Sequence, residues 1–165
     1  FENSEKEFQI REISRITKIN PTTVRKYLNE FVKYGYLQMK KEGVYPSYSA
    51  NFSKQYFNLK LFYNLEKIRN SGLIEEIEKE FEYPGIILFG SYSKARDFLS
   101  SDIDLGIISE VNKIFNPTKY EKMLNRKVQI HKLNKKEIKN LKEKNPELLN
   151  NILNGIVLSG EAEVI

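Results

Sequence analysis

Two aspartates separated by one residue carry the clearest chemistry in this sequence of 165 residues. Asp102 and Asp104 enclose Ile103 and are followed by Leu105. On a strand, residues i and i+2 point to the same side, so the two carboxylates should project together while the apolar side chains enter the core. Carboxylates this close repel each other unless a cation lies between them, and Mg²⁺ (or Mn²⁺) suits carboxylates together with phosphate oxygens. The spacing therefore predicts that Asp102 and Asp104 are metal ligands.

Ten residues separate these aspartates from a glycine–serine pair that ends an apolar run. Gly90 lets the backbone turn sharply and lets a ligand approach closely. Ser91 is predicted to begin a short helix, whose free N–H groups and hydroxyl suit a phosphate. Lys94 and Arg96 can add positive charge, although a solvated loop face explains them equally well. Together the two features predict a metal-bound nucleoside triphosphate beside a phosphate-binding loop, which is the layout for nucleotidyl transfer.

The motif Gly90-Ser91, ten residues, Asp102-x-Asp104 resembles the polymerase-β-like nucleotidyltransferase superfamily, and in particular its minimal nucleotidyltransferase branch. The resemblance extends over about residues 70 to 133. It implies that an NTP, with ATP favoured, donates a nucleotidyl group such as AMP to a hydroxyl acceptor. By the same resemblance, Asp102 and Asp104 are the catalytic residues and metal ligands, and the nucleotide-binding residues are Gly90, Ser91 and Lys94. Some members of this branch are antitoxins that AMPylate a toxin partner and others modify small molecules, so the acceptor stays open. One departure is Ala95, where relatives commonly have glycine.

A second departure concerns a third carboxylate, which active relatives carry on a following strand to bind a second metal and help deprotonate the acceptor hydroxyl. In this sequence that strand is predicted at residues 127–133, and Gln129 stands where the carboxylate is expected. Glutamine is neutral and cannot act as a base. His131 lies on the same side and is either a substitute base or ligand, or a strand histidine without such a role. Asp97, Glu110 or a second subunit are further possible sources.

The elements that must position these residues follow from hydrophobic periodicity and from cap residues. Strands are predicted at 85–89, 102–109, 127–133 and 155–158, and helices at 73–81, 117–124, 134–144 and 146–153. A long helix over residues 54–70, capped by Ser53, is predicted to join two domains. We therefore expect connecting helices over 53–82 and a nucleotidyltransferase-like domain over 83–165, with a small mixed sheet flanked by helices.

Residues 1–52 predict a separate domain. A helix over 8–17 and a turn lead to Asn20 as an N-cap and Pro21 at the first position of a helix that ends near Gly35. The buried stripe of this helix is predicted to be Val24, Leu28, Phe31 and Val32. A hairpin then follows, with strands at 36–41 and 44–50. This order resembles the winged helix-turn-helix domains of archaeal and bacterial regulators, so the whole chain is predicted to be an α+β protein of two domains.

Such domains normally begin with one more helix. We expect that this chain lacks it and that Phe1 is the last core residue of that helix. Without that helix the small core lacks a wall, so either it is disordered or a partner chain takes the place of the helix. Because winged-helix DNA readers usually bind as dimers, a homodimer is also expected.

The polar face of the second helix predicts contacts with double-stranded DNA. Small polar and basic side chains near a helix start suit the major groove, and lysines on the hairpin suit phosphates. The candidate DNA-binding residues are Thr22, Arg25, Lys26, Asn29, Lys40 and Lys41. The chain has a net charge of +5, from 27 basic and 22 acidic residues. An ordinary solvated helix face is the competing interpretation.

Composition excludes several classes of protein. The sequence has no cysteine, which excludes disulfide frameworks and thiolate zinc sites and fits a reducing compartment. No apolar run reaches the length of a spanning helix, so we expect a cytoplasmic protein without a membrane partner. Two functions remain. One is a Mg²⁺-dependent nucleotidyltransferase with a DNA-binding domain. The other is a DNA-binding regulator whose nucleotidyltransferase-like domain binds nucleotide or a partner with little catalysis.

Overall fold

The structure, a computed structural model, describes residues 1–161. The chain divides into two compact units, Phe1–Lys60 and Leu61–Ile165. Residues 162–165, which belong to the predicted domain 83–165, lie outside the described residues. Over residues 1–161, no helix is both long enough and apolar enough to cross a membrane.

The first unit consists of two helices and a three-stranded sheet. Its elements in chain order are β1 (Phe8–Gln9), α1 (Ile10–Thr17), α2 (Pro21–Lys33), β2 (Leu37–Lys40) and β3 (Ser47–Ala50). The sheet is antiparallel in the order β1-β3-β2. A small core is formed by Ile10, Val24, Leu28 and Tyr48.

Local chemistry explains the bounds of α2. The Asn20 side chain accepts a hydrogen bond of 2.9 Å from the Thr22 N–H, and Pro21 occupies the first turn, which confirms the predicted start. Gly35 has φ of 77°, the left-handed conformation predicted after the helix. Phe31 is a correction, because its side chain is 42% exposed rather than buried. The buried positions Val24 and Leu28 are four apart, and Phe31 falls at the edge of that stripe.

A second correction concerns the start of α1. The predicted helix at residue 8 begins only at Ile10, because Phe8 and Gln9 pair with β3 instead. The next helix, α3 (Lys54–Asn70), has the predicted bounds, and Ser53 Oγ accepts a hydrogen bond of 3.1 Å from the Tyr56 N–H. The division between the two units falls inside α3.

The second unit contains a mixed four-stranded sheet with helices, as predicted. After α4 (Leu73–Glu80), its elements are β4 (Gly85–Phe89), α5 (Gly90–Ser93), β5 (Ile103–Ile108), α6 (Thr118–Leu124), β6 (Val128–Leu133), α7 (Lys135–Lys144), α8 (Pro146–Leu153) and β7 (Ile156–Ser159). The sheet order is β6-β5-β4-β7, with β5 and β6 parallel and the other neighbours antiparallel.

Both faces of this sheet are covered. In β4, Ile86 and Leu88 belong to the larger core cluster, whereas Ile87 and Phe89 belong to a second cluster on the opposite face. All five residues of β4 are buried. The sheet is therefore held between two apolar layers, and its strand ends are fixed supports for loops.

Candidate active site

Three strand ends meet at one edge of the sheet in the second unit. Phe89, the last residue of β4, pairs with Asp104 in β5, and Asp104 pairs with Gln129 in β6. Since β4 runs antiparallel to β5 and β6 runs parallel to it, the end of β4 lies beside the starts of both other strands. The fold thus brings the glycine–serine pair, the aspartates and Gln129 together.

A side chain at Gly90 would be strained and would require Asp104 to move. The φ of Gly90 is 73°, and a Cβ at this residue would collide with Asp104 Oδ2. The carboxylate therefore packs directly against the backbone of the turn. Ser91 follows in α5, where its carbonyl accepts from the N–H groups of Lys94 and Arg96. Within residues 1–161 its hydroxyl has no hydrogen-bond partner and remains available to a ligand.

Asp102 and Asp104 lie on one side of β5. Ile103 and Leu105 are fully buried on the other side, and both aspartates are half-buried. Burial raises the pKa of the Asp104 carboxyl above its ordinary value of 3.8, the charge of Asp102 raises it further, and His131 opposes the shift. A cation at this place would remove both the burial penalty and the repulsion.

Gln129 is the neighbour of both aspartates. Its Nε2 donates a hydrogen bond of 2.5 Å to Asp102 Oδ2. A neutral amide therefore occupies the place where the family resemblance implies a third carboxylate. His131 lies two residues further, with its ring 5.2 Å from that of Phe89.

Nothing in the described residues completes a larger ligand set around the aspartates. Across residues 1–161 there is no group of three or more histidine, cysteine, aspartate or glutamate side chains that could hold a metal ion. Glu110 instead accepts a hydrogen bond of 3.0 Å from the Lys135 N–H. Asp97 is 2% exposed and is engaged by other side chains. Within residues 1–161, any cation at these strand ends would therefore have Asp102 and Asp104 as its carboxylate ligands.

Ala95 adopts the left-handed conformation, with φ of 53°, and is 1% exposed. This is the position where relatives commonly have glycine, which adopts such a φ without strain. Alanine keeps the same turn here at some conformational cost. Lys94 and Arg96 flank it with exposed side chains.

Arg126, which the sequence analysis did not single out, is buried beneath the loop that leads to Asp102. Its guanidinium donates to the carbonyl oxygens of Phe98 and Ser101. Its Nη2 lies 3.6 Å from Asp97 Oδ2, and Asn64 Nδ2 donates 2.8 Å to Asp97 Oδ1. In the sequence Arg126 stands beside Lys127 in a basic stretch, and no local pattern distinguishes a buried arginine from a solvated one.

A cavity of about 570 Å³ opens beside Asp102. Loop residues before β5 form one wall, and the end of α6, which includes Glu121, forms the other together with the turn into β6. Lys122 and Lys127 are exposed at its border, and Leu99 adds an apolar surface that is 52% exposed. The cavity therefore combines space, positive charge and one carboxylate of the aspartate pair.

In the first unit, the candidate DNA-binding residues fall into two groups. Thr22, Arg25 and Lys26 are exposed on α2, and the first two line a cavity of about 370 Å³ together with Arg11. Among the other candidates, Asn29 accepts a hydrogen bond from the Tyr48 hydroxyl at 3.2 Å and Lys41 is exposed. The first group thus presents basic and polar side chains near a helix start.

Lys40, the remaining candidate, is already paired within the unit. Its Nζ lies 2.5 Å from Glu7 Oε1. The hydrogen bond to Glu7 raises the pKa of Lys40, and the same bond lowers the pKa of Glu7. Part of the positive charge on this strand is therefore neutralised before any anion binds.

The similarity to a known protein family falls within the second unit. A family model described as "Polymerase beta, Nucleotidyltransferase" matches residues 71–163. A solved structure from Sulfolobus solfataricus, provisionally assigned as a nucleotidyltransferase, is 16% identical, and the alignment covers 61% of this chain and 83% of that chain with a TM-score of 0.35. No curated protein matches the chain.

Proposed function

We propose, from the premise that the chain belongs to the polymerase beta nucleotidyltransferase family, that it is a Mg²⁺-dependent nucleotidyltransferase. It would transfer a nucleotidyl group, with AMP from ATP favoured, to a hydroxyl of an acceptor. The observation that carries this proposal is the contact of the Asp104 carboxylate with the Gly90 backbone, beside Asp102. The backbone turn that would bind phosphates thus lies beside the two carboxylates that would bind a cation.

The donor set fits a divalent cation. Asp104 is half-buried with a raised pKa, so its charged form needs a positive partner. Asp102 and Asp104 would hold Mg²⁺ (or Mn²⁺), which neutralises charge on a bound triphosphate and orients its oxygens. Gly90 and Ser91 would bind phosphate oxygens through their N–H groups and the Ser91 hydroxyl, with Lys94 adding positive charge.

The cavity beside Asp102 is the space for the acceptor. It lies toward β6, whereas Gly90 and Ser91 lie toward β4, so donor and acceptor would approach the aspartates from opposite sides. Its volume of about 570 Å³ suits a small molecule or one side chain of a protein, such as a toxin-like partner.

Calorimetry with ATP, in the presence and absence of Mg²⁺, tests this proposal. We expect metal-dependent binding by the wild type and its loss, by more than about tenfold in affinity, when Asp102→Asn and Asp104→Asn are combined. Glu143→Gln, which removes an exposed carboxylate on α7, is the matched control and should bind like the wild type. Absence of metal-dependent binding, or binding unchanged in the double variant, would contradict the proposal. Labelled NTP together with a candidate acceptor then tests transfer.

One observation favours a second candidate function. Gln129, which donates to Asp102, supplies neither a negative charge nor a base. A protein with this site would bind a metal–nucleotide complex and turn it over slowly or not at all. In that case the chain would be a DNA-binding transcriptional regulator whose second unit binds nucleotide or a protein partner.

We further propose that the first unit is a winged helix that binds double-stranded DNA. The support is its element order, a strand and two helices followed by a hairpin whose second strand pairs with the first strand of the unit. Thr22, Arg25 and Lys26 would approach the major groove from α2, and Lys41 would contact phosphates. Binding as a homodimer is part of this proposal, since readers of this type commonly occupy paired half-sites.

A further inference from the structure

The loop that delivers Asp102 ends in a tight turn. The Phe98 N–H donates 2.9 Å to Ser101 Oγ, and the Ser101 N–H donates 3.1 Å to the Phe98 carbonyl. Asp102 follows at once, and the first ladder residue of β5 is Ile103. This turn therefore sets the direction in which the chain reaches Asp102 and enters β5.

The Arg126 side chain is hydrogen-bonded to this turn. Its Nη1 donates to the carbonyl oxygens of both Phe98 and Ser101, the two ends of the turn. The planar guanidinium has several N–H groups in fixed directions, so one side chain can hold two carbonyls and a carboxylate at the same time. Lysine has a single ammonium and cannot reproduce this fork.

The arginine is buried together with its charged partner. The side chains of Arg126 and Asp97 are 3% and 2% exposed. Burying two charges is costly, and a hydrophobic pair of the same volume commonly stabilises a fold as well or better. Asn64, which is 1% exposed, donates to Asp97 and to the Tyr92 carbonyl, so the pair is tied to α3 and to the segment after Ser91.

Residues 126–129 make three contacts with the chain around Asp102. Arg126 holds the turn, the Lys127 carbonyl accepts 2.8 Å from the Ile103 N–H, and Gln129 donates to the Asp102 carboxylate. The start of β6 therefore determines where Asp102 lies in space. Of these three contacts, the one from Arg126 is the only one that fixes the loop before Asp102.

We propose that Arg126 is a positioning residue for the metal and nucleotide site. Through the turn at 98–101 it holds Asp102 at the distance from Asp104 at which both carboxylates bind one cation. The effect on metal binding rests on the proposed function, whereas the effect on the loop does not. Arg126 is not a catalytic residue, because its guanidinium is occupied by the protein itself.

Hydrogen exchange of the full chain, measured by mass spectrometry, tests the loop. In Arg126→Lys we expect exchange of the amides at 98–103 to rise by about tenfold, because the turn loses contacts that oppose its local opening. The amides of β4 should keep their protection. Ser101→Ala loosens the same turn without touching the buried charges and should give a smaller increase. Exchange that is unchanged in both variants, or that rises equally everywhere, overturns the proposal.

Manganese affinity, measured with Mn²⁺ alone, tests the consequence for the site. Arg126→Gln should weaken Mn²⁺ binding by about 10- to 100-fold and Arg126→Lys by less. Lys136→Gln, an exposed change on α7 outside the cavity, should leave it unchanged. A merely structural arginine would lower the unfolding midpoint without changing Mn²⁺ affinity in the folded protein, and that result overturns the proposal. If the wild type binds no Mn²⁺, the proposed function fails, while the exchange measurement still decides the role of Arg126 in the loop.

Discussion

The carboxylate of Asp104 lies where burial and the charge of Asp102 both disfavour ionisation. Because its pKa is raised in the folded state, the native protein binds a proton there more tightly than the unfolded chain does. The stabilisation from the protonated form is complete below the ordinary pKa of 3.8 and is lost as the pH rises through the raised value. The ionised Asp104 carboxylate without a metal ion is therefore expected to lower the stability of the fold.

This sign gives a prediction for Asp104→Asn in the metal-free protein. At pH 7 the variant should have a larger free energy of unfolding than the wild type, by about 0.5–1 kcal/mol after discounting for the half-exposed side chain. The difference should shrink as the pH falls toward 4. Thermal unfolding in a chelator between pH 4 and pH 8 measures it, and an equal loss of stability at every pH would contradict the explanation.

Asp104→Asn removes a carboxylate from the site, whereas a substitution at Gln129 can add one. Gln129→Asp places a third carboxylate beside Asp102 and Asp104, where it can bind a second metal ion and accept the proton of an acceptor hydroxyl. We expect tighter Mn²⁺ binding and an increase in transfer of about 10²-fold, the lower range for a positioned base. Titration with Mn²⁺ and labelled-nucleotide assays measure both. Gln129→Asn keeps the amide and should show neither gain.

At the scale of elements, the turn from β4 into α5 depends on glycine for two separate reasons. Gly90 has a positive φ, and it also lies against the Asp104 carboxylate. Gly72, which precedes α4, has a similar φ of 76° but open space around it. Both glycines would cause backbone strain if replaced, but only Gly90 contacts Asp104, so comparing the two variants distinguishes the strain from the contact.

Alanine at each position should show this separation. Both Gly90→Ala and Gly72→Ala should lose about 1–2 kcal/mol of stability from the left-handed conformation. Gly90→Ala should in addition lose metal-dependent ATP binding by more than about tenfold, because its Cβ displaces Asp104. Chemical denaturation and calorimetry measure the two effects. Equal ATP affinities in the two variants would show that the contact with Asp104 does not matter.

The sequence was most informative where short-range chemistry decides. Caps at Asn20 and Ser53 and the breaks at Gly35 and Gly72 fix helix ends within a turn, so these ends could be predicted. The strand at Phe8 could not, since it exists only by pairing with β3, about forty residues away. Periodicity alone assigned those two residues to the helix that follows them.

The same distinction holds for the site. The glycine–serine pair and the aspartates could be predicted because each pattern is local, and Gln129 because β6 is a short alternating strand. The group of Asn64, Asp97 and Arg126 could not, because its members come from three separate segments and each is an ordinary polar residue in its own segment. Only the packed fold shows that they are buried together.

At the scale of the whole molecule, the two units carry separate proposals that different experiments test. For the first unit, Lys26→Ala should weaken binding to duplex DNA and reduce the slope of log affinity against log salt by about 1. Glu7→Gln should do the reverse, since it releases Lys40 from its ion pair. Titrations of labelled duplex at several salt concentrations measure both, with Lys136→Ala in α7 as the control. No binding by the wild type at low salt would contradict the DNA-binding proposal.

The position of β7 has a consequence for biosynthesis. This strand closes one side of β4 by pairing with Ile86, Ile87 and Leu88, yet it is the last described element to leave the ribosome. Until then, a nascent chain that has already formed β4, β5 and β6 presents an apolar five-residue strand with a free edge. Such an edge is a template for pairing with another chain, so before residue 156 emerges the nascent chain is open to intermolecular strand pairing that β7 later prevents.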